Sequence, residues 1–399
     1  MGEVEPQWKR VKFGEVVRQV KSKVNPDTAG LDRFVAGEHM DTDDLKLRRW
    51  GAIGSGYLGP AFHARFRPGQ VLYGSRRTYL RKVAVPDFEG ICANTTFVLE
   101  STNPDILVPE LLPFVMQTEA FHAHSKRESK GSVNPYVNFS DLAWYQFALP
   151  PRQEQLRLLD IFRAAEHVLE TLRSALDRLR LARSALAVSY FANPVQDHVV
   201  DCRDLIATGA MSLQTGPFGT ILKASAYTDD GYPVINPVDM NAGEINTDSC
   251  ARIGEKDWLR LKQYWMRPGD MLLGRKRHMR NLVYVHPEHD GYVIGSDCIR
   301  FRVDPNQIHP RYLFHVLRSE TTQHWLQAQA GGNGTVMPGM NEQIIGRLRM
   351  YLPDPGTQLR IAADFDAVAE SDTSLVTRRA QAYLVRHALL ARVFEEAGR

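Results

Sequence analysis

Two stretches decide how this chain is built: RPGQVLYGSRRTYLRKVAVPDFEG, beginning at Arg67, and RPGDMLLGRKRHMRNLVYVHPEHDG, beginning at Arg267. Arg67, Pro68 and Gly69 recur as Arg267, Pro268 and Gly269. Leu72, Gly74, Arg77, Val83 and Val85 recur as Leu272, Gly274, Arg277, Val283 and Val285, all at an offset of 200. The match continues outwards. Upstream, FVAGEHM from Phe34 answers VINPVDM from Val234. Downstream, PELLPF from Pro109 answers PRYLFH from Pro310. LPPRQEQLRLLDIF from Leu149 answers LPDPGTQLRIAADF from Leu352, and Tyr190-Phe191 answers Val393-Phe394, both at an offset of 203. A register held over this span with three net insertions marks a tandem duplication of a unit of about 200 residues.

Each unit has two parts. The first mixes short β-like runs (Val71-Leu72-Tyr73, Val83-Ala84-Val85, Thr96-Phe97-Val98-Leu99) with Gly and Pro punctuation and a helical stretch near 109–123. The second is a run from Arg152 to Phe191 without Gly or Pro, entered through Pro150-Pro151 and left at Asn193-Pro194. Its apolar residues Leu158, Phe162, Ala165, Leu169, Leu172, Leu176, Leu179, Leu186 and Tyr190 fall on a heptad seam. Some 36 helical residues rise about 54 Å. The second copy, about Gln358 to Ala397, carries a weaker seam of Ile361, Phe365, Val368, Leu375, Ala382, Leu389 and Val393, interrupted by Asp372, Arg379 and Arg386.

A long helix with one apolar stripe needs a partner, and the other copy supplies one. The expectation is an α+β chain: two pseudo-symmetric mixed α/β globular domains joined by two long antiparallel helices, a coiled-coil spacer. The boundaries read as a globule over 1–150, a helix over 151–193, a globule over 194–352 and a helix over 353–399. A separate bundle packed on each globule is the competing arrangement.

Of the 399 residues 43% are hydrophobic and 24% charged, enough for folded cores and too balanced for disorder. The net charge of +3 implies no partner by itself, so position must speak. From Arg67 to Lys82 lie Arg67, Arg76, Arg77, Arg81 and Lys82 with no acid; from Arg267 to Arg280 lie Arg267, Arg275, Lys276, Arg277 and Arg280 against Asp270. Each cluster follows an apolar strand and a Gly, which places it on a strand-to-strand turn at the same place in both copies. Arginine forks match guanine edges and phosphates, lysines add phosphate contacts, and Thr78, Tyr79 and His278 add polar or planar groups. A further basic stretch carries Lys126, Arg127 and Lys130; its counterpart, Gln327 to Gly334, is uncharged. The turns Gly131-Ser132-Val133-Asn134 and Gly331-Gly332-Asn333-Gly334 lie next to the helices and join the candidate surface. Two readers on a stiff spacer of ~50 Å would touch one duplex about 15 base pairs apart and leave the middle unread.

Catalytic readings find little support. Asn134-Pro135-Tyr136 and Asn236-Pro237-Val238 lack the second Pro of an amino-methyltransferase segment, and no GxxxxGK[ST] occurs. Asp105, Glu128 and Lys130 could be drawn as a metal-nuclease set, but the second copy has no equivalent. The pairs His122/His124 and His286/His289 have no third ligand at a suitable spacing, and His122 reads as exposed. Cysteines at 92, 202, 250 and 298 show no metal spacing; Cys92 and Cys298 read as buried fillers in a reducing, cytoplasmic setting. No secretory h-region is expected at the N-terminus, and no 18-residue apolar run suggests a membrane partner.

The ordered set of LPPRQEQ at 149–155 leading into a long helix, RPGQVLYGSRR, RPGDMLLGRKR, FVAGEHM and QTGPFGTILKASAYTDDGYPVINP at 214–237 resembles the specificity (S) subunits of type I restriction–modification systems. The resemblance covers essentially the whole chain. LPDPGTQLR departs from the form of LPPRQEQLR. The resemblance implies two target-recognition domains that each read half of a bipartite, gapped duplex DNA sequence. It implies two DNA-methyltransferase (modification) subunits and, for cleavage, restriction (motor-nuclease) subunits as partners. No cofactor is then expected on this chain, with S-adenosylmethionine on the methyltransferase. Two other readings stay open on the residues alone: a specificity-like component of another phage-defence complex, and a two-globule coiled-coil interaction protein that touches no nucleic acid.

Overall fold

The computed structural model describes residues 8–56, 58–191, 198–241, 243–275, 281–331 and 339–396. The chain forms two units. One comprises residues 1–174 together with 376–399, the other residues 175–375.

In the first unit an antiparallel sheet runs in the order Val17–Gln19, Thr96–Ser101, Val71–Gly74, Val83–Ala84. A second sheet runs Gly51–Ala52, Arg33–Val35, Gly90–Ala93, Phe62–Phe66, with its middle pair parallel. The alternation of a strand divides the core between two layers. Leu72 packs with Val35, Met40, Phe66 and Val98 towards the second sheet. Its neighbours Val71 and Tyr73 pack with Phe97, Leu99, Val115 and Phe121 towards the helices.

The second unit repeats this plan. Its main sheet runs Met211–Thr215, Cys298–Val303, Met271–Gly274, Leu282–Tyr284, and its second sheet also holds one parallel pair, Tyr232–Ile235 with Val293–Ile294. Leu272 faces Val234, Val283 and Cys298, while Met271 and Leu273 face Ile299, Phe301 and Tyr312. The strand registers correct one detail of the repeat. Tyr73 pairs with Val83 and Leu273 with Leu282, so the hairpin of the second copy is one residue shorter. Val83 therefore corresponds to Leu282, and Lys82 to Asn281, at an offset of 199 rather than 200.

The helical stretch expected near 109–123 is broken. A 3-10 turn at Pro109–Leu111 leads into Leu112–Val115, and a separate helix spans Glu119–Arg127, capped where the Phe121 amide donates to the Thr118 hydroxyl.

The long helices span Arg152–Phe191 and Pro355–Ala391. In the first unit, Phe162 stacks on Phe394 with ring centroids 6.0 Å apart, and Glu166 lies 2.6 Å from Arg386 Nε. Number rises on one helix as it falls on the other, so these segments pair antiparallel. In the second unit, the Tyr190 hydroxyl donates to Asp364 (2.6 Å), and Phe191 stacks on Phe365 at 5.8 Å. The seam of the last helix differs from its sequence reading. Leu390 and Phe394 are buried, while Leu389 and Val393 are only half-buried. The buried positions Arg386, Leu390 and Phe394 recur every four residues, the drift that an α-helix shows against a strict heptad, before the chain ends in a π-helical turn, Arg392–Glu396. Arg386, read as an interruption of the seam, is one of the largest fully buried side chains.

Both helices start on the same device. Gln155 is buried; its Nε2 donates to the Ile106 and Pro150 carbonyls, and its Oε1 accepts from the Val108 amide. Gln358 repeats all three bonds with the Gln307 and Pro353 carbonyls and the His309 amide. The altered LPDPGTQLR segment keeps the glutamine that fastens the helix start to its globule. All four cysteines are free and buried, and burial pushes the thiols of Cys92, Cys202 and Cys298 up to about 12. Among the described residues, no helix is long and apolar enough to cross a membrane.

Candidate nucleic-acid interface

The basic turn of the first unit follows Gly74, where an added Cβ would come 3.1 Å from that of Lys82, a tight fit across the hairpin. The turn then folds back over residues 129–137. The Arg77 amide donates to the Pro135 carbonyl (2.6 Å), its Nε donates to Asn134 Oδ1 (2.9 Å), and the Val137 amide donates to the Ser75 carbonyl (3.0 Å). Arg76 bridges to Tyr136, and the buried Thr78 hydroxyl meets that of Ser129 at 2.8 Å. The two basic stretches, about fifty residues apart in sequence, thus form one surface.

The residues of that surface face two ways. Outward stand Arg76, Arg77, Lys126 and Lys130, with Tyr79 at 53% exposure, Tyr136 at 43% and Val133 at 83%. Lys130 is held by Asp141 (2.9 Å), and Arg127 by Glu128 with a further contact to His124. Thr78, Arg81 and Lys82 point inward. Arg81 Nε donates to Asp43 (2.8 Å), its Nη1 to Glu119, and its Nη2 to the Gln117 carbonyl (3.3 Å). Lys82 Nζ donates to the Gly37 carbonyl; burial, with Arg49 nearby, lowers its pKa. The carboxylates of Asp43 and Glu119 and the side chain of Asn134 complete the site. Sequence reading passed over Asp43 and Glu119 because nothing in an isolated acid names its arginine. The aligned copy did hold a signal, since position 43 answers Gly243 and both backbones are left-handed.

His122 was expected on the surface and is buried. Neither ring nitrogen has a partner, and burial, with Arg81 and His387 close by, lowers its pKa to about 3. The Thr118 cap turns this face of the helix into the core, which periodicity over so short a segment did not reveal. His124 is buried too, its Nε2 against the Asp141 carbonyl at 2.9 Å.

In the second unit the strands Met271–Gly274 and Leu282–Tyr284 bring Arg275 to the same end of the sheet. The Arg275 amide donates to the Asp297 carbonyl (2.7 Å), and its Nε donates to the Met340 carbonyl (3.0 Å). Arg275 therefore lies against residue 340 as Ser75 lies against Val137. Lys276, Arg277, His278 and Arg280, and the glycine-rich run 332–334, lie outside the described residues. Asn281 Nδ2 donates to the Pro237 carbonyl (2.7 Å), the counterpart of Lys82 on Gly37. The loop Gly216–Gly219 leaves this same sheet end. Gly216 is pressed against the Gly295 carbonyl, where a Cβ would come within 1.8 Å, and Phe218 stands 60% exposed. Arg311 forks onto Asp366, which also accepts from His315 Nε2 (2.7 Å). Burial opposes the ionisation of Asp366, and those two hydrogen bonds outweigh it, so its pKa falls. Among the described residues no group of three His, Cys, Asp or Glu side chains could hold a metal ion.

No family model matches the chain. It is 26% identical over 192 residues to the type I restriction enzyme EcoDI specificity subunit of Escherichia coli, a match over 46% of this chain and 41% of that protein's length. The S subunit of a type I restriction-modification system from M. genitalium superposes over 98% of this chain and 97% of its own, with a TM-score of 0.59 at 13% identity. A chain from a type I R-M system, solved in work on complex assembly and conformational transition, covers 100% of this chain and 99% of its own, with a TM-score of 0.59 at 18% identity. The duplicated globules and paired helices thus carry the fold of solved type I S subunits along nearly the whole chain, and just under half of the sequence is similar to a curated type I specificity subunit.

Proposed function

We propose that this chain is the non-catalytic DNA-specificity subunit of a type I restriction–modification complex. The globules at 1–150 and 194–352 are its two target-recognition domains, each reading one half of a bipartite, gapped duplex sequence. The helices at 151–193 and 353–399 dock two methyltransferase subunits, which bring S-adenosylmethionine and extrude the base they methylate. Restriction subunits join in the full complex, and the site of action is the cytoplasm.

The observation that carries the reading is the outward set Arg76, Arg77 and Tyr79, mounted on a hairpin that the fold repeats at Arg275. Arginines on a turn braced by backbone hydrogen bonds can reach base edges and phosphates without ordering themselves first. The test is methylome sequencing of cells that express the chain with its methyltransferase partner. A split motif with an unread gap is expected; an uninterrupted motif, or no chain-dependent methylation, overturns the reading.

A further inference from the structure

Among the described residues, three other than glycine hold left-handed backbone: Asp43 (φ 53°), Arg77 (φ 52°) and Arg81 (φ 51°). All three belong to one site. Such conformations are unfavourable for residues with a Cβ and persist only where surrounding contacts over-determine them. Arg77 and Arg81 bracket the 3-10 turn Thr78–Leu80 that lifts Tyr79 outward. Asp43 lies opposite and, with its neighbour Thr42, fastens the turn at three points. Arg81 Nε donates to its carboxylate (2.8 Å), its amide donates to the Arg81 carbonyl (3.4 Å), and the neighbouring Thr42 hydroxyl donates to the Leu80 carbonyl (2.9 Å). From behind, Arg386 Nη1 of the last helix donates to the Asp43 carbonyl (3.2 Å).

The second unit provides the comparison. Its residue at this place is Gly243, also left-handed (φ 99°), where a Cβ would come 3.1 Å from Arg318. Glycine is the residue that fits such backbone without penalty. The first unit holds a carboxylate there instead, and that carboxylate grips Arg81.

We infer that Asp43 and Arg81 form a positioning latch: they touch no DNA, but fix the turn that presents Arg76, Arg77 and Tyr79 to the first half-site. This inference rests on the proposed DNA-reading function. Arg81 is spent on two carboxylates and a carbonyl, so it neutralises no phosphate. Its loss degrades sequence discrimination and leaves the electrostatic part of binding unchanged.

The experiment uses full-length chain carrying Arg81→Gly, Arg81→Lys, Asp43→Gly or Asp43→Asn. Glycine relieves the backbone while deleting the grip; asparagine tolerates the left-handed backbone and removes only the charge. Amide exchange over residues 75–82 is measured on the free chain. In the methyltransferase complex, competition binding is measured against duplexes altered in either half-site, with salt titration. Arg81→Gly and Asp43→Gly are expected to speed exchange over 75–82 about tenfold or more, and to cut discrimination at the first half-site about tenfold. Discrimination at the second half-site and the salt slope stay as in wild type. Arg81→Lys and Asp43→Asn fall between. Unchanged exchange in both glycine variants overturns the latch. So does a salt slope reduced by about 0.9 in Arg81→Gly, which marks a direct phosphate contact. A wild-type complex that ignores changes in both half-sites defeats the DNA-reading function itself, and the exchange result still decides whether the latch exists.

Discussion

Arg386 of the last helix places its Nε 2.6 Å from Glu166 of the central helix, and only 1% of the arginine side chain is exposed. Burial raises the pKa of Glu166 while Arg386 lowers it, with burial the larger effect. Such a pair is costly to break from one side and cheap to replace from both. Arg386→Met alone is expected to destabilise the first unit by about 3 kcal/mol, and Arg386→Met with Glu166→Leu to recover most of that loss. Urea unfolding followed by tryptophan fluorescence checks both. A double variant no better than the single one shows that Arg386 acts through some other contact.

Acid should weaken the protein in a definite window. The folded-state pKa of His122 is about 3, below the ordinary histidine value of 6.5. The unfolded chain therefore takes up the proton first, and the stability that the buried neutral ring allows is lost as pH falls below about 6.5. At pH 5 this single group accounts for about 2 kcal/mol. His122→Leu is expected to flatten the fall in melting temperature between pH 7 and pH 5. A variant whose pH profile matches wild type assigns the acid sensitivity elsewhere.

Arg77 should trade stability for binding. Its left-handed backbone is a strain of about 1 kcal/mol that Arg77→Gly removes. The same change deletes an outward guanidinium. The variant is expected to melt no lower than wild type, although it forfeits the bond to Asn134. Its methyltransferase complex should bind DNA more weakly, with a salt slope shallower by about 0.9. A salt slope equal to that of wild type would show that Arg77 serves the turn and not the phosphates.

The two buried glutamines are expected to behave alike. Gln155→Leu strands the Val108 amide, and Gln358→Leu the His309 amide. A buried amide without a partner costs about 1–3 kcal/mol. Hydrogen exchange at those two amides measures the loss directly, and similar acceleration in both variants is the expected outcome.

The duplication was legible because glycines and prolines mark turns by rules that survive divergence; Pro68-Gly69 and Pro268-Gly269 keep the two hairpins in step. The residue lost after Gly274 was not legible, because Val283 and Val285 look like Val83 and Val85 in letters and only hydrogen-bond pairing shows the slip. The central helix was read within a residue or two, since its apolar stripe breaks only at Arg183. The last helix was read one position off at its end, where the buried face drifts from a strict heptad to Arg386, Leu390 and Phe394. Of the candidate site, the sequence could show where charge accumulates. It could not show that Arg81 and Lys82 turn inward, because direction depends on backbone φ and on partners some forty residues away at Asp43 and Gly37.

The shorter hairpin of the second unit bears on any attempt to rewire what the protein reads. Nine residues separate Tyr73 from Val83, and eight separate Leu273 from Leu282. Transplanting the arginine-rich run of the first half into the second would leave a loop of the wrong length, with Gly243 where Asp43 should grip it. The smallest graft that keeps its shape is the hairpin tip together with residues 129–137 and Asp43, three separate pieces of chain moved as one.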